Sequence, residues 1–365
     1  MAQKTPGRRR VGLPWNGMLS NPQSVWLEAL LKRVSRSFFL TLHVLPTRVR
    51  SQIGLAYLLA RASDTIADTD CLPVGERLNA LQAFAARVSG CDPSPLNLVP
   101  LTQAQGDEGE HALLSQIDRA IALLNSTAPP DRASIQSVLH TIISGQTLDL
   151  QRFSAASKSH VVALNSSDDL HDYTYRVAGC VGEFWTEICL RHLTPRFTGD
   201  SSRLLENGVR FGKGLQLVNI LRDLPKDLAQ SRCYLPADAL LQHGLQPADL
   251  LNPAFAAKLE PLFRVWHTHA FHHLQAGWAY TLALPRSWIR VRLACAWPVL
   301  IGFKTLELLS SGPNLDPQRR PKVSRPEIRK ILLKSLFALP FARSWESLAP
   351  STSHPSPNAS THPSR

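Results

Sequence analysis

Apolar residues recur at intervals of three and four along nearly the whole chain, and that period admits helices while leaving little room for sheet. From Val25 to Leu45 the positions Leu27, Leu30, Leu31, Val34, Phe38 and Leu42 follow it, and Pro46 ends the run. Further helical patterns cover Val49–Ala67, Gly75–Arg87, His111–Leu124, Ala133–Leu150, Leu170–Leu193 and Ser201–Leu228. The series continues over Pro253–Leu284, Ser287–Leu309 and Arg325–Leu339. No stretch alternates apolar with polar long enough to suggest a sheet, so the expected fold is all-α. The segment between Gly90 and Glu110 is rich in turn formers and reads as a surface loop.

With 365 residues, 44% of them hydrophobic, the chain can bury a sizeable core. No linker or repeat divides the middle, so one domain is expected over 23–345. A loose basic N-terminus would precede it at 1–22, and a Pro/Ser-rich, disordered tail would follow at 346–365. The six cysteines lack CxxC spacing and a secretory leader, so reduced thiols in a cytoplasmic protein are expected. The Arg-rich start is only a weak match to a transit peptide.

The net charge of +12 suits nucleic acid, an anionic membrane surface or a polyanionic small substrate. No zinc-finger, RNP or basic-zipper pattern accompanies the arginines, so nucleic acid ranks last. Pro298, Lys304 and Glu307 break the most apolar run, Leu293–Leu309, so no membrane span is expected. Two readings stay open for Trp288–Leu309: an interfacial segment giving peripheral membrane contact, or an ordinary core helix.

Two aspartate pairs stand out. Asp64 and Asp68 lie in DTIAD, and Asp223 and Asp227 in DLPKD. Four residues apart on a helix is one face, so each pair sets two carboxylates side by side at a cost of roughly 0.2–0.5 kcal/mol. A hard divalent cation removes that cost. Magnesium takes one or two carboxylates and fills its remaining positions with water and substrate phosphates, so two pairs facing one cavity would make a diphosphate site.

On the first of these helices Tyr57, Arg61, Asp64 and Asp68 share a face, with Arg61 free to hold an aspartate or a phosphate. On the second, Gln216, Asn219, Asp223 and Asp227 form a polar stripe in an otherwise apolar helix, which looks like a lined cavity. Pro225 disturbs helix interiors, so the turn carrying Asp227 is expected to fray or end. Arg232 in SRCYLP can close over a diphosphate with a fork of donors. Ser35, Arg36 and Ser37 precede Phe38 as a second anion-contacting cluster. In DYTYRVAGCVGEFW, Tyr173 and Val177 share a face with Val181. The small residues Ala178, Gly179 and Gly182 admit either a partner helix or a bulky apolar ligand. A phenol at Tyr173 can orient a carbocation or relay a proton. In WHTHAFHHL, His269 and His273 have the spacing of zinc ligands but lack an HExxH or cysteine partner, so a packed and solvated cluster is the expectation.

In order, SRSF, YxxxRxxDTxxD, YxxxVAGxVG, QxxNxxRDxxxD and RxYLP resemble the squalene/phytoene synthase family of head-to-head prenyl transferases, from about Ser35 to Leu309. The resemblance implies a single-domain isoprenoid-synthase helical bundle around a central cavity. Asp64, Asp68, Asp223 and Asp227 would bind Mg2+. Ser35, Arg36, Ser37, Arg61, Gln216, Asn219, Arg222 and Arg232 would contact diphosphate or its metals. Tyr57, Arg61 and Tyr173 would act in the chemistry, and Phe38, Val177, Ala178, Gly179 and Val181 would line the pocket. It implies condensation of two farnesyl diphosphates through presqualene diphosphate to squalene, with NADPH as reductant, in a monomer. Phytoene synthesis from geranylgeranyl diphosphate, arrest at the cyclopropyl intermediate, and a non-catalytic binding protein are the alternatives. DTxxD and SRSF favour squalene, whereas YLP pulls toward phytoene. Two departures touch the diphosphate site: Lys226 where many relatives carry an acid, and Ser231 where a glycine commonly precedes the arginine.

Overall fold

The computed structural model describes residues 22–35, 38–157 and 159–350. Helices dominate it, as the periodicity predicts. The first apolar run divides into Pro22–Val34 and Phe38–Val44, and Thr47–Asp68 carries the first aspartate pair. Val74–Ser89 ends at Gly90, whose φ of 79° is the left-handed conformation that glycine adopts without Cβ strain. Inside the expected loop a short helix, Val99–Gln103, has formed, and the next, Glu108–Ser115, already starts there, capped by the Asp107 side chain. Leu98 and Leu101 are buried, so apolar anchoring overrode the turn-former composition. Ile117–Asn125 and Pro129–Arg152 complete this half.

The expected Leu170–Leu193 helix is Ser167–Thr174 and Cys180–His192 joined by a π-helical turn over Tyr175–Gly179. A π turn inserts one residue into the helical phase. That is why Tyr173 is buried while Val181, on its face in an ideal helix, is exposed.

Ser201–Ala229 carries the second aspartate pair. It does not end at Pro225. The missing proline N–H and its ring cost about 3 kcal/mol in a helix interior, but Leu224, Pro225 and Leu228 are all buried, and that packing holds the turn together. Asp227 is therefore helical. Ala256–Ala283, Ile289–Leu309 and Arg325–Ala338 follow, the last opened by a Ser324–Glu327 capping box.

The all-α expectation holds apart from one two-stranded parallel sheet, Val162–Leu164 with Arg232–Pro236. Strands this short are below the length at which alternation is legible. The sheet sets Arg232 opposite Val162, just beyond the end of the second aspartate helix.

Side chains gather in two buried clusters. One contains the Thr47–Asp68 helix and the N-terminal helices around it; the other contains the later part of Ser201–Ala229 with the C-terminal helices. The two aspartate pairs thus stand on elements from different halves of the core. Ile289–Leu309 packs into the core through Val291, Ala296, Val299 and Leu306, with Ile289 and Leu308 exposed. No helix among the described residues is long and apolar enough to cross a membrane.

Candidate active site

On the first wall, Arg61 bonds Glu110 and stands 4.0 Å from Asp64. Burial opposes the Arg61 charge, but Asp64 and Glu110 outweigh it and hold the guanidinium above its usual range. Gln146, from Pro129–Arg152, donates to Asp64 Oδ1. The Asp64 side chain is 49% accessible. Burial, and then the neighbouring Asp68, push it up to about 6. Burial also raises Asp68, against the pull of Arg232, Arg61 and Lys226. Tyr57 is half-buried one turn before Arg61 and adds to the field that raises it.

On the second wall, Gln216 and Asn219 touch at 3.5 Å. Asp223 is clamped from two sides. Arg222 donates to both of its oxygens at 2.9 and 2.7 Å, and Arg320 does the same at 2.7 and 2.8 Å. Burial works against the Asp223 charge, but these bonds prevail and hold the carboxyl below its usual range. Asp227 is the opposite case. Burial first, and Asp223 second, push it up to about 7. Two aspartates one turn apart are thus held in contrary states.

Between the walls lie Tyr173, Tyr234, Asp149 and Arg232. Tyr234 donates to Asp149 Oδ2 at 3.0 Å and stacks on Tyr173 at 4.7 Å between centroids. Burial, then Asp149, raise the Tyr173 phenol, which stays neutral. Asp149 is pushed up to about 6 by burial, although Arg232, 3.7 Å away, opposes that. Asp64 and Asp227 both act on Tyr173, and Asp68, Asp149 and Arg232 act on one another. Members of both carboxylate pairs are therefore within electrostatic reach of the same tyrosine and arginine.

Not every expected residue joins it. Arg36, Ser37 and the Phe38 side chain lie outside the described residues. Ser35 is buried with its hydroxyl donating to the Leu31 carbonyl. Ala178 and Gly179 face the Ser201–Ala229 helix: a Cβ at Gly212 would lie 2.0 Å from the Ala178 oxygen, so the small-residue patch serves helix packing. Val177 packs 3.4 Å from where a Gly145 Cβ would stand. In the histidine cluster, His269 packs at a tilt on Trp266 and His171, 5.2 and 5.9 Å between centroids, and no group of three metal-ligating side chains occurs among the described residues.

Gln146, Asp149, Tyr234, Glu110 and Arg320 went unseen in the sequence. Gln146 and Asp149 carried one faint signal, a polar three-residue step inside an apolar helix. Arg320 carried none, because it reaches Asp223 from a loop 97 residues downstream.

The donors fit magnesium. All four aspartates offer hard carboxylate oxygens, the donor chemistry magnesium takes, although the described residues gather no three metal-ligating side chains around one point.

The squalene/phytoene synthase family model matches residues 31–327. The chain belongs to this family. It is 27% identical over 315 residues to a bifunctional lycopene cyclase/phytoene synthase of Podospora anserina, covering 84% of this chain and 51% of that protein. It is 29% identical over 201 residues to chloroplastic phytoene synthase 2 of Solanum lycopersicum, covering 54% and 59%. To squalene synthase of Schizosaccharomyces pombe it is 23% identical over 307 residues, covering 84% and 64%. The chain spans about half the length of the curated relatives it matches. Among solved structures, TcSQS with the ligand BPH1237 superposes with a TM-score of 0.70 at 20% identity, covering 92% of this chain and 94% of that one. A dehydrosqualene synthase superposes at 0.59 and 19%, covering 87% and 96%. These likenesses establish the fold.

Proposed function

We propose that this chain joins two farnesyl diphosphates head to head through presqualene diphosphate to squalene, with Mg2+ at the aspartate pairs and NADPH as reducing co-substrate. The observation that carries the proposal is that one aspartate of each pair, Asp68 and Asp227, lies in the field of Arg232, which stands 3.7 Å from the Asp149 that Tyr234 bonds.

Asp64 and Asp68 on one wall and Asp223 and Asp227 on the other would hold the metal, which when bound neutralises the diphosphate and stabilises it as a leaving group. Arg61, Arg222 and Arg232 supply fixed guanidinium donors where that charge develops. Gln216 and Asn219 orient the phosphate oxygens. The first substrate ionises to an allyl cation, which the double bond of the second attacks. The faces of Tyr173 and Tyr234 border this cation and exclude water.

Ring closure to the cyclopropane releases a proton. Tyr234 takes it at Oη while passing its own hydroxyl proton to Asp149 Oδ2, and the Tyr173 ring stacked on it holds the phenol in place. Asp149, near 6, accepts the proton at neutral pH.

Phytoene synthesis is the second reading, favoured by the RCYLP strand and by the similarity to phytoene synthases. The experiment is incubation with Mg2+ and farnesyl or geranylgeranyl diphosphate, with and without NADPH, and identification of the hydrocarbon. Squalene formed only with NADPH supports the first reading. A C40 product alone overturns it, and absence of diphosphate release overturns the enzyme reading.

A further inference from the structure

Gln146, on the helix Pro129–Arg152, is only 8% exposed, an unusual place for an amide. Its side chain donates to Asp64 Oδ1 at 2.5 Å. A carboxylate has only lone pairs to offer, so the NH2 end of the amide must be the one turned to Asp64, and the carbonyl end is turned away. That carbonyl oxygen, Oε1, is buried and has no hydrogen-bond partner among the described residues. One turn further along, Asp149 is divided in the same way: Oδ2 accepts from Tyr234, and Oδ1 is buried without a partner. Residues three apart on a helix are neighbours, so this helix carries two bare acceptor oxygens side by side.

A buried acceptor without a donor is destabilising and uncommon, so a pair of them marks a place that a donor enters. The diphosphate cannot be that donor, because its oxygens are acceptors too and its charge repels Asp149. A hydrocarbon chain has nothing to donate. Water held on a divalent ion does donate, and magnesium keeps several of its waters when carboxylates bind it. The bond to Asp64 fits the same purpose. A carboxylate that ligates a metal is itself held by hydrogen bonds that fix its orientation. Gln146 does this as a neutral group, which leaves the Asp64 charge for a cation, whereas the two guanidiniums on Asp223 compete for it. Arg61, the cation nearest Asp64, stands 4.0 Å from Oδ2 and is bonded to Glu110 instead.

We propose that Gln146 is a positioning residue for metal binding at Asp64: its amide NH2 fixes the carboxylate at Oδ1, and its Oε1 accepts from a water of the bound ion. This role presupposes the Mg2+ assignment of the aspartate pairs made above.

The test is Mn2+ binding to the full chain without substrate, read by electron paramagnetic resonance. Gln146→Met fills the same space with no donor or acceptor, and Gln146→Asn keeps the amide but draws it back by one methylene. Removing an outer partner of a metal ligand typically weakens metal affinity by about 10- to 100-fold, so Gln146→Met should raise the Mn2+ dissociation constant at least about 10-fold. Gln146→Asn should raise it by roughly 3- to 10-fold, and it decides the question if the methionine variant loses its cooperative melt. Gln136→Met is the structural control. It removes the hydrogen bond from Gln136 to the Val88 carbonyl, about 15 Å back along the same helix, and should leave Mn2+ affinity at the wild-type value. A glutamine that merely braced the helix would behave as this control does, with a lower Tm and unchanged affinity. Wild-type Mn2+ affinity in a folded Gln146 variant overturns the role of Gln146 and leaves the metal assignment standing. Failure of wild type to bind Mn2+ overturns both.

Discussion

Replacing Gly182 with alanine tests the contact that holds the second aspartate helix in place. Gly182, in Cys180–His192, packs directly on Gly208 of Ser201–Ala229. An alanine Cβ would lie 1.8 Å from the Gly208 carbonyl oxygen, 2.5 Å from its carbon and 3.2 Å from the Val209 nitrogen. All three are backbone atoms, so no side chain can swing aside. The oxygen is about 1.6 Å short of the 3.4 Å at which Cβ contacts become ordinary, and the helices must part. Overpacking costs typically 1–3 kcal/mol, here near the upper end, against about 1 kcal/mol gained from replacing a helical glycine. The net loss is about 2 kcal/mol. At ~2.1 cal/mol/K of unfolding entropy per residue, that lowers Tm by roughly 3 °C. Gly75→Ala is the control: it too is helical, nothing lies within 4 Å of its Cβ, and it should stabilise by about 0.4–1 kcal/mol. Urea unfolding of both variants beside wild type measures the two shifts. If Gly182→Ala were as stable as wild type while Gly75→Ala behaved as expected, the packing argument would be refuted.

Arg320→Gln removes one of the two guanidiniums on Asp223, a half-exposed contact of ~0.5–1 kcal/mol that a metal must displace. Mn2+ affinity without substrate, read by electron paramagnetic resonance, should tighten about 2- to 5-fold; unchanged or weaker binding contradicts the competition. Ser231 sits at a φ of 60°, strained for any residue with a Cβ. Ser231→Gly should therefore raise urea stability by about 1 kcal/mol, and a loss would refute the strain. His273 is half-buried, and burial, followed by Lys213 and Arg210, depresses its pKa to about 4. The unfolded chain then binds more protons than the folded one below the ordinary 6.5, so stability is full above that pH and falls as pH drops toward 4. His273→Gln should flatten this acid limb in unfolding at pH 5 and 7.5, and an undiminished gap between the two would count against it.

The helices and the aspartate-bearing faces were legible because both depend on local spacing, which a chain displays directly. What escaped depended on neighbours in space. Helical phase was lost at Tyr175–Gly179, where a π turn moved Val181 off the face of Tyr173. The turn formers before Glu110 concealed a helix, since Leu98 and Leu101 are held by burial that composition does not express. Pro225 signalled an end that tertiary packing overrode.

By itself the sequence determined that this chain folds as a helical bundle of the squalene/phytoene synthase family with four aspartates in two pairs. The tertiary structure alone decided what state each aspartate is in. Asp223 and Asp227 are identical in kind and one turn apart. One is clamped by Arg222 and by Arg320 from a distant loop, whereas the other is buried beside it with its charge poorly matched. A carboxylate's charge depends on the dielectric and the cations within a few ångströms. Those surroundings come from chain segments far apart in sequence, so folding sets them and local spacing does not.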